Sequence, residues 1–172
     1  MPSETNPDDH THRHSNREGK RTTALLFERL IVPVASEADT ASTCRAMTPY
    51  LSDVTERLVV VHVIETRSTF MDKAPLAARR EQADRLFDIA EEQLGTAPGF
   101  ETRLRYGSDV VEEILETVSE IDATAILFTP RRTNRLTRLL SGDEEHRLVT
   151  ESPCPVVAIP EADSGVRREV RG

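Results

Sequence analysis

Short apolar runs alternate with segments of helical periodicity between residues 29 and 160. Four of these runs are almost wholly aliphatic, which is typical of strands buried inside a sheet. A fifth run, 100–106, alternates apolar and polar residues and therefore predicts a half-exposed strand near a sheet edge. The aliphatic strands are predicted over 29–35, 58–64, 123–129 and 155–159.

Apolar residues at helical spacing fill the intervals between these strands. Ser36 and Asp39 stand at capping-box spacing before the first helix, and Asp109 stands where the third begins. Pro75 suits the first turn of the second helix, and Gly95 suits its end. The helices are predicted over 37–51, 75–94, 109–121 and 142–152, with a loop at 130–141.

This order of elements predicts an α/β fold, a Rossmann-like five-stranded parallel sheet with helices on both faces. Ligands of such folds bind beyond the carboxyl ends of the strands. That edge is predicted to lie near Ala35, Val63 and Thr129.

One compact domain is predicted over residues 26–160, because a chain of 172 residues has room for one domain and its tails. Residues 1–25 contain almost no large apolar side chain, so burial cannot offset the entropy of ordering them. We predict a disordered tail there and a flexible tail over residues 161–172.

The formal net charge is -8, and Lys20 and Lys73 are the only lysines among the 22 cationic residues. An acidic surface has no general attraction for nucleic acid or an anionic membrane, so neither is an expected partner. Many carboxylates with almost no lysine are also typical of proteins bathed in concentrated salt, which screens surface repulsion. We therefore hypothesise a salt-loving origin, with the nucleotide composition of the gene as the alternative.

Two cysteines, Cys44 and Cys154, lie far apart within apolar patterns, which is typical of buried free thiols.

No apolar run approaches the roughly 20 residues that a membrane-spanning helix needs, and the N-terminus has no apolar signal core. We therefore expect a cytoplasmic protein with no membrane partner.

Four stretches together resemble the universal stress protein family, and the resemblance covers about residues 28 to 160. Each stretch alone is unspecific, but their order and the closing Pro-Cys-Pro-Val are characteristic of the family. The resemblance implies the same fold and a role in stress response. The stretches are 31–35, 60–64, 107–114 and 152–160.

Nucleotide-binding members of that family carry a loop with the pattern Gly, two residues, Gly, nine residues, Gly, then Ser or Thr. Bare glycine backbone lets phosphates approach, and the hydroxyl and helix N-terminal amides bind them. The same spacing here falls on Thr129, Arg132, Gly142 and Asp143, so only the third glycine is present. The ligand-binding positions that the resemblance implies are Pro33, Ala35, Val63, Thr129, Arg131, Arg132, Arg135, Gly142 and Asp143.

Each departure from this pattern makes the binding of ATP less favourable. Thr129 and Arg132 add side chains where bare backbone is needed. Asp143 brings a negative charge toward phosphate, although it also suits the N-cap of the last helix. Ala35 stands where nucleotide-binding relatives carry Asp. We predict that ATP is not bound in the usual way, as in the subgroup of the family that works without nucleotide.

The arginines of the loop leave an alternative open. Arg131, Arg132, Arg135 and Arg138 could replace the glycine cradle, because guanidinium groups bind phosphate and carboxylate strongly. The site would then hold AMP, ATP or another phosphorylated metabolite. The other interpretation is that they pair with surface carboxylates, and the loop lacks the aromatic residues that nucleic-acid stacking uses.

The histidines offer no clear catalytic or metal site. His10, His12 and His14 alternate in the N-terminal tail, where metal capture is the less favoured interpretation. His62 is predicted to be a core histidine with one hydrogen bond, and His146 a surface residue. Because no nucleophile elbow, zinc-ligand spacing or Walker-type motif is present, we predict neither enzyme activity, nor a metal, nor an obligatory cofactor.

The fifth strand is predicted to form a homodimer, since fifth strands of the family commonly pair across a two-fold axis. Val156, Val157 and Ile159 would otherwise leave an exposed apolar edge. The function predicted from the sequence is therefore a non-catalytic, dimeric regulatory protein of the stress response. It would act through contacts with a protein partner that the sequence does not identify.

Overall fold

A computed structural model describes residues 25–51, 54–66, 75–130 and 142–160. Strands and helices alternate along these ranges as the sequence predicts. The strands are β1 Arg29–Pro33, β2 Arg57–Glu65, β3 Phe100–Gly107, β4 Ala125–Phe128 and β5 Val156–Ala158. The helices are α1 Glu37–Met47, α2 Leu76–Leu94, α3 Val110–Ile121 and α4 Gly142–Glu151, with a 3-10 turn at Thr48–Tyr50.

All strand pairs are parallel, and the sheet order is β3-β2-β1-β4-β5. The predicted five-stranded parallel sheet is therefore confirmed, and the alternating strand β3 does lie at an edge. β1 is the central strand, with β2 on one side and β4 on the other. The topological switch point, where such folds bind ligands, is at the carboxyl end of β1.

The two faces of the sheet carry separate apolar cores, because successive strand residues point to opposite faces. One core joins strand residues such as Leu30 and Val60 to α1 and α2. The other joins Ile31 and Val59 to α3 and to Leu148 of α4. Helices thus cover both faces, as predicted.

The first helix differs from its prediction at its end. Ser36 Oγ accepts the backbone N–H of Asp39 at 3.2 Å, which confirms the N-cap. The Asp39 carboxylate accepts the N–H of Ala35 at 3.2 Å, one residue earlier than in a capping box. The α-helix ends at Met47 and not near residue 51, because Pro49 has no N–H to donate to the carbonyl four residues before it, and the chain continues as the 3-10 turn.

The connection from α2 to β3 depends on glycine. Gly95 follows the last helical residue, as predicted, with ordinary right-handed backbone. Gly99 instead has φ of 59°, and a Cβ there would meet the carbonyl oxygen of Glu56. Only glycine combines that backbone with so close an approach.

Two further comparisons with the predictions concern the strands and the tails. β4 and β5 are shorter than predicted at both ends. The predicted tails and the loop 131–141 lie outside the described residues, apart from Leu25. Within the described ranges, no helix combines the length and the apolar character needed to cross a membrane.

Candidate functional site

The carboxyl edge of the sheet brings together the residues predicted to line a ligand site. Pro33 is the buried last residue of β1, and Ala35 follows it half-buried. Val63 is half-buried near the end of β2, where it pairs with Arg105. Thr129 directly follows β4 and is buried. Because these strands are parallel neighbours, their ends meet at one edge as predicted.

The end of β1 has no side-chain carboxylate, because residue 35 is alanine. The backbone N–H of Ala35 donates instead to Asp39 in the first turn of α1. The chain continues the sheet pattern just before this point, since the Val34 N–H donates to the Val61 carbonyl at 2.9 Å. The backbone here is thus engaged by the protein itself.

Thr129 places a branched side chain in the interior of this edge. It is 7% exposed, and within the described part of the chain its hydroxyl has no hydrogen-bond partner. Leaving a buried hydroxyl unpaired costs about 1–3 kcal/mol. A glycine at this position would leave bare backbone, whereas Thr129 fills the space with two methyl-sized groups.

The start of α4 corrects one prediction. α4 begins at Gly142, so Asp143 is the second residue of the helix and not its N-cap. The residue that caps α4 lies outside the described residues. Glu144 and Glu145 follow in the same turn, and three carboxylates there suit the positive end of the helix. The predicted ligand residues Arg131, Arg132 and Arg135, with Arg138, also lie outside the described residues.

The histidine of β2 is held by the main chain. His62 Nδ1 lies 2.8 Å from the carbonyl oxygen of Val34, and the ring is half-buried. Burial lowers the pKa of His62, and the hydrogen bond to Val34 opposes this only in part. A neutral ring donating from Nδ1 fits this geometry, which confirms a core histidine with one hydrogen bond. His146 is exposed, as predicted.

Both cysteines are free thiols, as predicted, but they differ in burial. Cys44 is buried, and desolvation raises the pKa of its thiol to about 12. Cys154 is only half-buried, contrary to the prediction, because it lies in the turn between α4 and β5.

No group of three or more potential metal ligands occurs in the described ranges.

Arg147 is a residue that sequence reasoning missed. Its Nη1 donates to Asp109 Oδ2 at 2.8 Å, and Oδ1 of the same carboxylate accepts the N–H groups of Val111 and Glu112. Burial would raise the pKa of Asp109, but these hydrogen bonds outweigh it and hold the pKa below its usual value. No local spacing signals a contact between residues on two different helices.

A second unpredicted feature is an ion-pair network on the α3 side of β3. Arg105 donates to Glu113, Glu116 and Glu120 at 3.0, 2.6 and 2.8 Å. Arg103 also binds Glu120, at 2.8 Å. The network continues through Glu101, which pairs with Arg103 and with Arg57 of β2. The polar half of the β3 alternation was its only sequence signal.

The exposed edge at β5 is less apolar than predicted. Ile159 is 2% exposed and packs into the core shared with α1 and α2. Its N–H donates to the Phe128 carbonyl at 2.8 Å, which holds it against the sheet beyond the end of β5. Val156 and Val157 are half-buried, whereas Val149 of α4 is 57% exposed.

Comparison with known proteins gives one consistent result. The profile of the family described as "Universal stress protein family" matches residues 26–160. A universal stress protein of Mycolicibacterium smegmatis (strain ATCC 700084 / mc(2)155) is 30% identical over 82 residues, which are 48% of this chain. The match spans 63% of that relative, less than two thirds of its length.

Two solved structures share the fold. A protein of the universal stress protein family from Burkholderia pseudomallei is 25% identical, with a TM-score of 0.59, and the match covers 78% of this chain and 97% of that one. The universal stress protein from Archaeoglobus fulgidus in complex with dAMP is 18% identical, with a TM-score of 0.55. That match covers 78% of this chain and 98% of the other.

Proposed function

The chain belongs to the universal stress protein family, and on that premise we propose that it is a non-catalytic, dimeric regulatory protein. In this proposal it acts in the stress response through contacts with a protein partner in the cytoplasm. It needs no cofactor and does not bind ATP in the manner of the family's nucleotide-binding members.

The buried side chain of Thr129 carries this proposal. It stands at the first glycine of the family's nucleotide loop, directly after β4, and is 7% exposed. Phosphate would have to approach a backbone that this side chain covers. The position of Thr129 is fixed by the strand that precedes it, since Phe128 is the last residue of β4.

The charges and the backbone around this edge support the same conclusion. Asp143 begins a run of three carboxylates in the first turn of α4. These would repel a phosphate group that the helix N-terminus otherwise attracts. At β1, Ala35 offers no carboxylate, and its N–H already donates to Asp39.

A non-catalytic role is supported by the state of His62. The ring lies near the carboxyl ends of β1 and β2, where catalytic groups of such folds occur. Its Nδ1 is held by the Val34 carbonyl, and burial lowers its pKa. This arrangement fits a structural hydrogen bond better than a general base.

The proposed dimer forms at β5, which is an edge strand in the single chain. Half-buried Val156 and Val157 and the exposed Val149 would gain burial there. Sedimentation velocity tests this proposal, with a dimeric mass expected. Ala158→Glu would place like charges across the two-fold axis and yield monomers, whereas Thr102→Glu on the opposite edge would remain dimeric. A monomeric parent protein would overturn the proposal.

A second candidate function is a sensor of phosphorylated metabolites that uses the arginines of the loop. Two observations favour it. The segment 131–141 contains four arginines and no acidic residue, and the buried Thr129 hydroxyl beside it has no partner among the residues that the structure describes. AMP, ATP or a related anion would accept hydrogen bonds from the guanidinium groups.

Mass spectrometry of the protein as purified separates the two candidates. The leading proposal predicts that denatured protein releases only substoichiometric nucleotide or phosphorylated metabolite. A stoichiometric phosphorylated compound that is absent from the Arg132→Ala variant would establish the sensor instead. The matched control for the loss of one arginine is Arg85→Ala, because Arg85 lies on α2 and forms an exposed ion pair with Glu37.

A further inference from the structure

An open groove runs between α3 and α4 on the outer side of these helices. Its volume is about 630 Å³. Half-buried Leu115 gives it an apolar floor, and Arg147 stands at one wall. The remaining lining residues are Glu112, Glu116, Ser119, Glu120 and Glu151.

The charge of this groove is only partly balanced within the described part of the chain. Glu116 and Glu120 pair with arginines of β3, and Glu151 pairs with Arg147 at 3.0 Å. The groove and its ion-pair partners contain seven carboxylates and four guanidinium groups, an excess of three negative charges. Glu112 is exposed, and its carboxylate has no partner among the described residues.

A segment of complementary chemistry follows the last strand. Residues 166–171 read Val-Arg-Arg-Glu-Val-Arg, so the segment holds three arginines, one glutamate and two valines, with a net charge of +2. Its arginines are Arg167, Arg168 and Arg171. The arginines match the excess carboxylates, and the valines match the floor at Leu115. Arginine is well suited to such a contact because its fork binds carboxylates while its stem covers apolar surface.

The topology allows this segment to reach the groove. β5 is parallel to β4, so the chain leaves it at the carboxyl edge of the sheet, and α3 also begins at that edge with Asp109. Glu112 lies in the first turn of α3. The seven residue-to-residue steps from Pro160 to Arg167 can span about 23 Å when extended, longer than the whole of α3 at about 18 Å.

We propose that the C-terminal segment 166–171 docks into the groove between α3 and α4 of its own chain, with its arginines on the glutamates and its valines on Leu115. This contact does not depend on the proposed absence of nucleotide binding or on dimer formation. It covers an acidic groove whose lining contains four glutamates and one arginine.

Backbone amide NMR of the full chain tests the proposal. Replacing Arg167, Arg168 and Arg171 by serine is expected to shift the amides of Leu115, Glu116 and Ser119 more than those of α1 and α2. A loop variant with Arg131, Arg132 and Arg135 replaced by serine is expected to leave the amide chemical shifts of the groove residues unchanged. The proposal would be overturned if the amide chemical shifts of the groove did not change in the variant with Arg167, Arg168 and Arg171 replaced. It would also be overturned if they changed in the loop variant instead.

The reciprocal substitution is Glu112→Gln, which removes an exposed charge that has no ion-pair partner within the described ranges. Amide exchange within 166–171 is expected to become roughly two- to fivefold faster, the factor that one exposed ion pair supplies. Glu92→Gln removes an exposed charge from α2 on the other face of the sheet and is expected to change nothing. Equal effects of the two variants, or none from Glu112→Gln, would contradict docking.

Discussion

Asp109 and Arg147, 38 residues apart in sequence, form an ion pair with an Oδ2 to Nη1 distance of 2.8 Å. The pair joins the N-terminus of α3 to the middle of α4. The other carboxylate oxygen of Asp109 caps α3 by accepting two backbone N–H groups. One side chain therefore begins a helix and fixes the position of its neighbour.

The two roles of Asp109 can be separated by substitution. Asp109→Ala removes both the cap and the pair, and we expect the free energy of unfolding to fall by about 1–2 kcal/mol. Asp109→Asn keeps an oxygen that can cap the helix and loses only the charged pair, so its loss should stay below about 1 kcal/mol. Urea unfolding at constant salt measures both, and equal losses would show that the cap contributes nothing.

The Arg105 network should contribute more to stability than an exposed ion pair. The Arg105 side chain is 21% exposed and that of its partner Glu113 is 17% exposed. Arg105→Gln would leave Glu113 half-desolvated without its cation, and we expect a loss of about 1–3 kcal/mol. The control is Arg85→Gln, which breaks the exposed pair with Glu37 and should cost less than about 1 kcal/mol. If urea unfolding showed similar losses of unfolding free energy in the two variants, the Arg105 network would contribute no more than an exposed ion pair.

His62 should make stability depend on pH. Burial lowers its pKa in the folded state, so below the ordinary value of about 6.5 the unfolded chain binds the proton more readily. Stability is therefore complete above about pH 6.5 and falls as the pH drops toward the lowered pKa. Thermal unfolding of His62→Gln between about pH 7 and 5.5 should show a smaller slope than the parent.

A matched control for this pH effect is His146→Gln, because His146 is exposed on α4. The slope of this variant should equal that of the parent protein. If His62→Gln retained the full slope as well, the pH dependence would have to come from groups other than His62.

The two thiols should differ in reactivity. Cys44 is buried with a pKa of about 12, so at neutral pH it is protonated and inaccessible. Cys154 is half-buried in a turn, and its pKa is also raised by burial, but to a smaller extent. We expect a disulfide reagent to modify one thiol in the native protein and a second only after unfolding. Cys154→Ser should abolish the first phase, and a persisting first phase would contradict this assignment.

The elements were predictable where one local signal sufficed. Aliphatic runs predicted the inner strands, and alternation alone placed β3 at an edge. The apolar stripe of α3 and the position of Asp109 at its beginning were likewise found in the sequence, although its role as the N-cap was not predicted. The pattern does not tell how far a strand extends: β4 and β5 pair only from Ile126 with Val156 to Phe128 with Ala158, although the predicted runs are longer.

The wrong prediction for Ile159 and the missed contact of Arg147 share a physical reason, since each depended on tertiary context. Ile159 was assigned to an exposed edge, but the hydrogen bond to Phe128 draws it over a core built by α1 and α2. The error at Asp143 was local, because Asp143 was assigned as a cap and Gly142 before it is already helical. Arg147 was overlooked because its partner Asp109 lies on another helix. Sequence periodicity identifies faces of elements, not the contacts between them.

Titration of the chain with Mg-ATP tests the central claim most directly. Isothermal calorimetry should be run in molar KCl and in dilute buffer, with dAMP titrated into the Archaeoglobus fulgidus protein as the positive control. Because Thr129 covers the phosphate approach and Ala35 lacks a carboxylate, we predict no saturable binding up to about 1 mM, a free energy weaker than about -4 kcal/mol. A dissociation constant in the low micromolar range would contradict the proposed function.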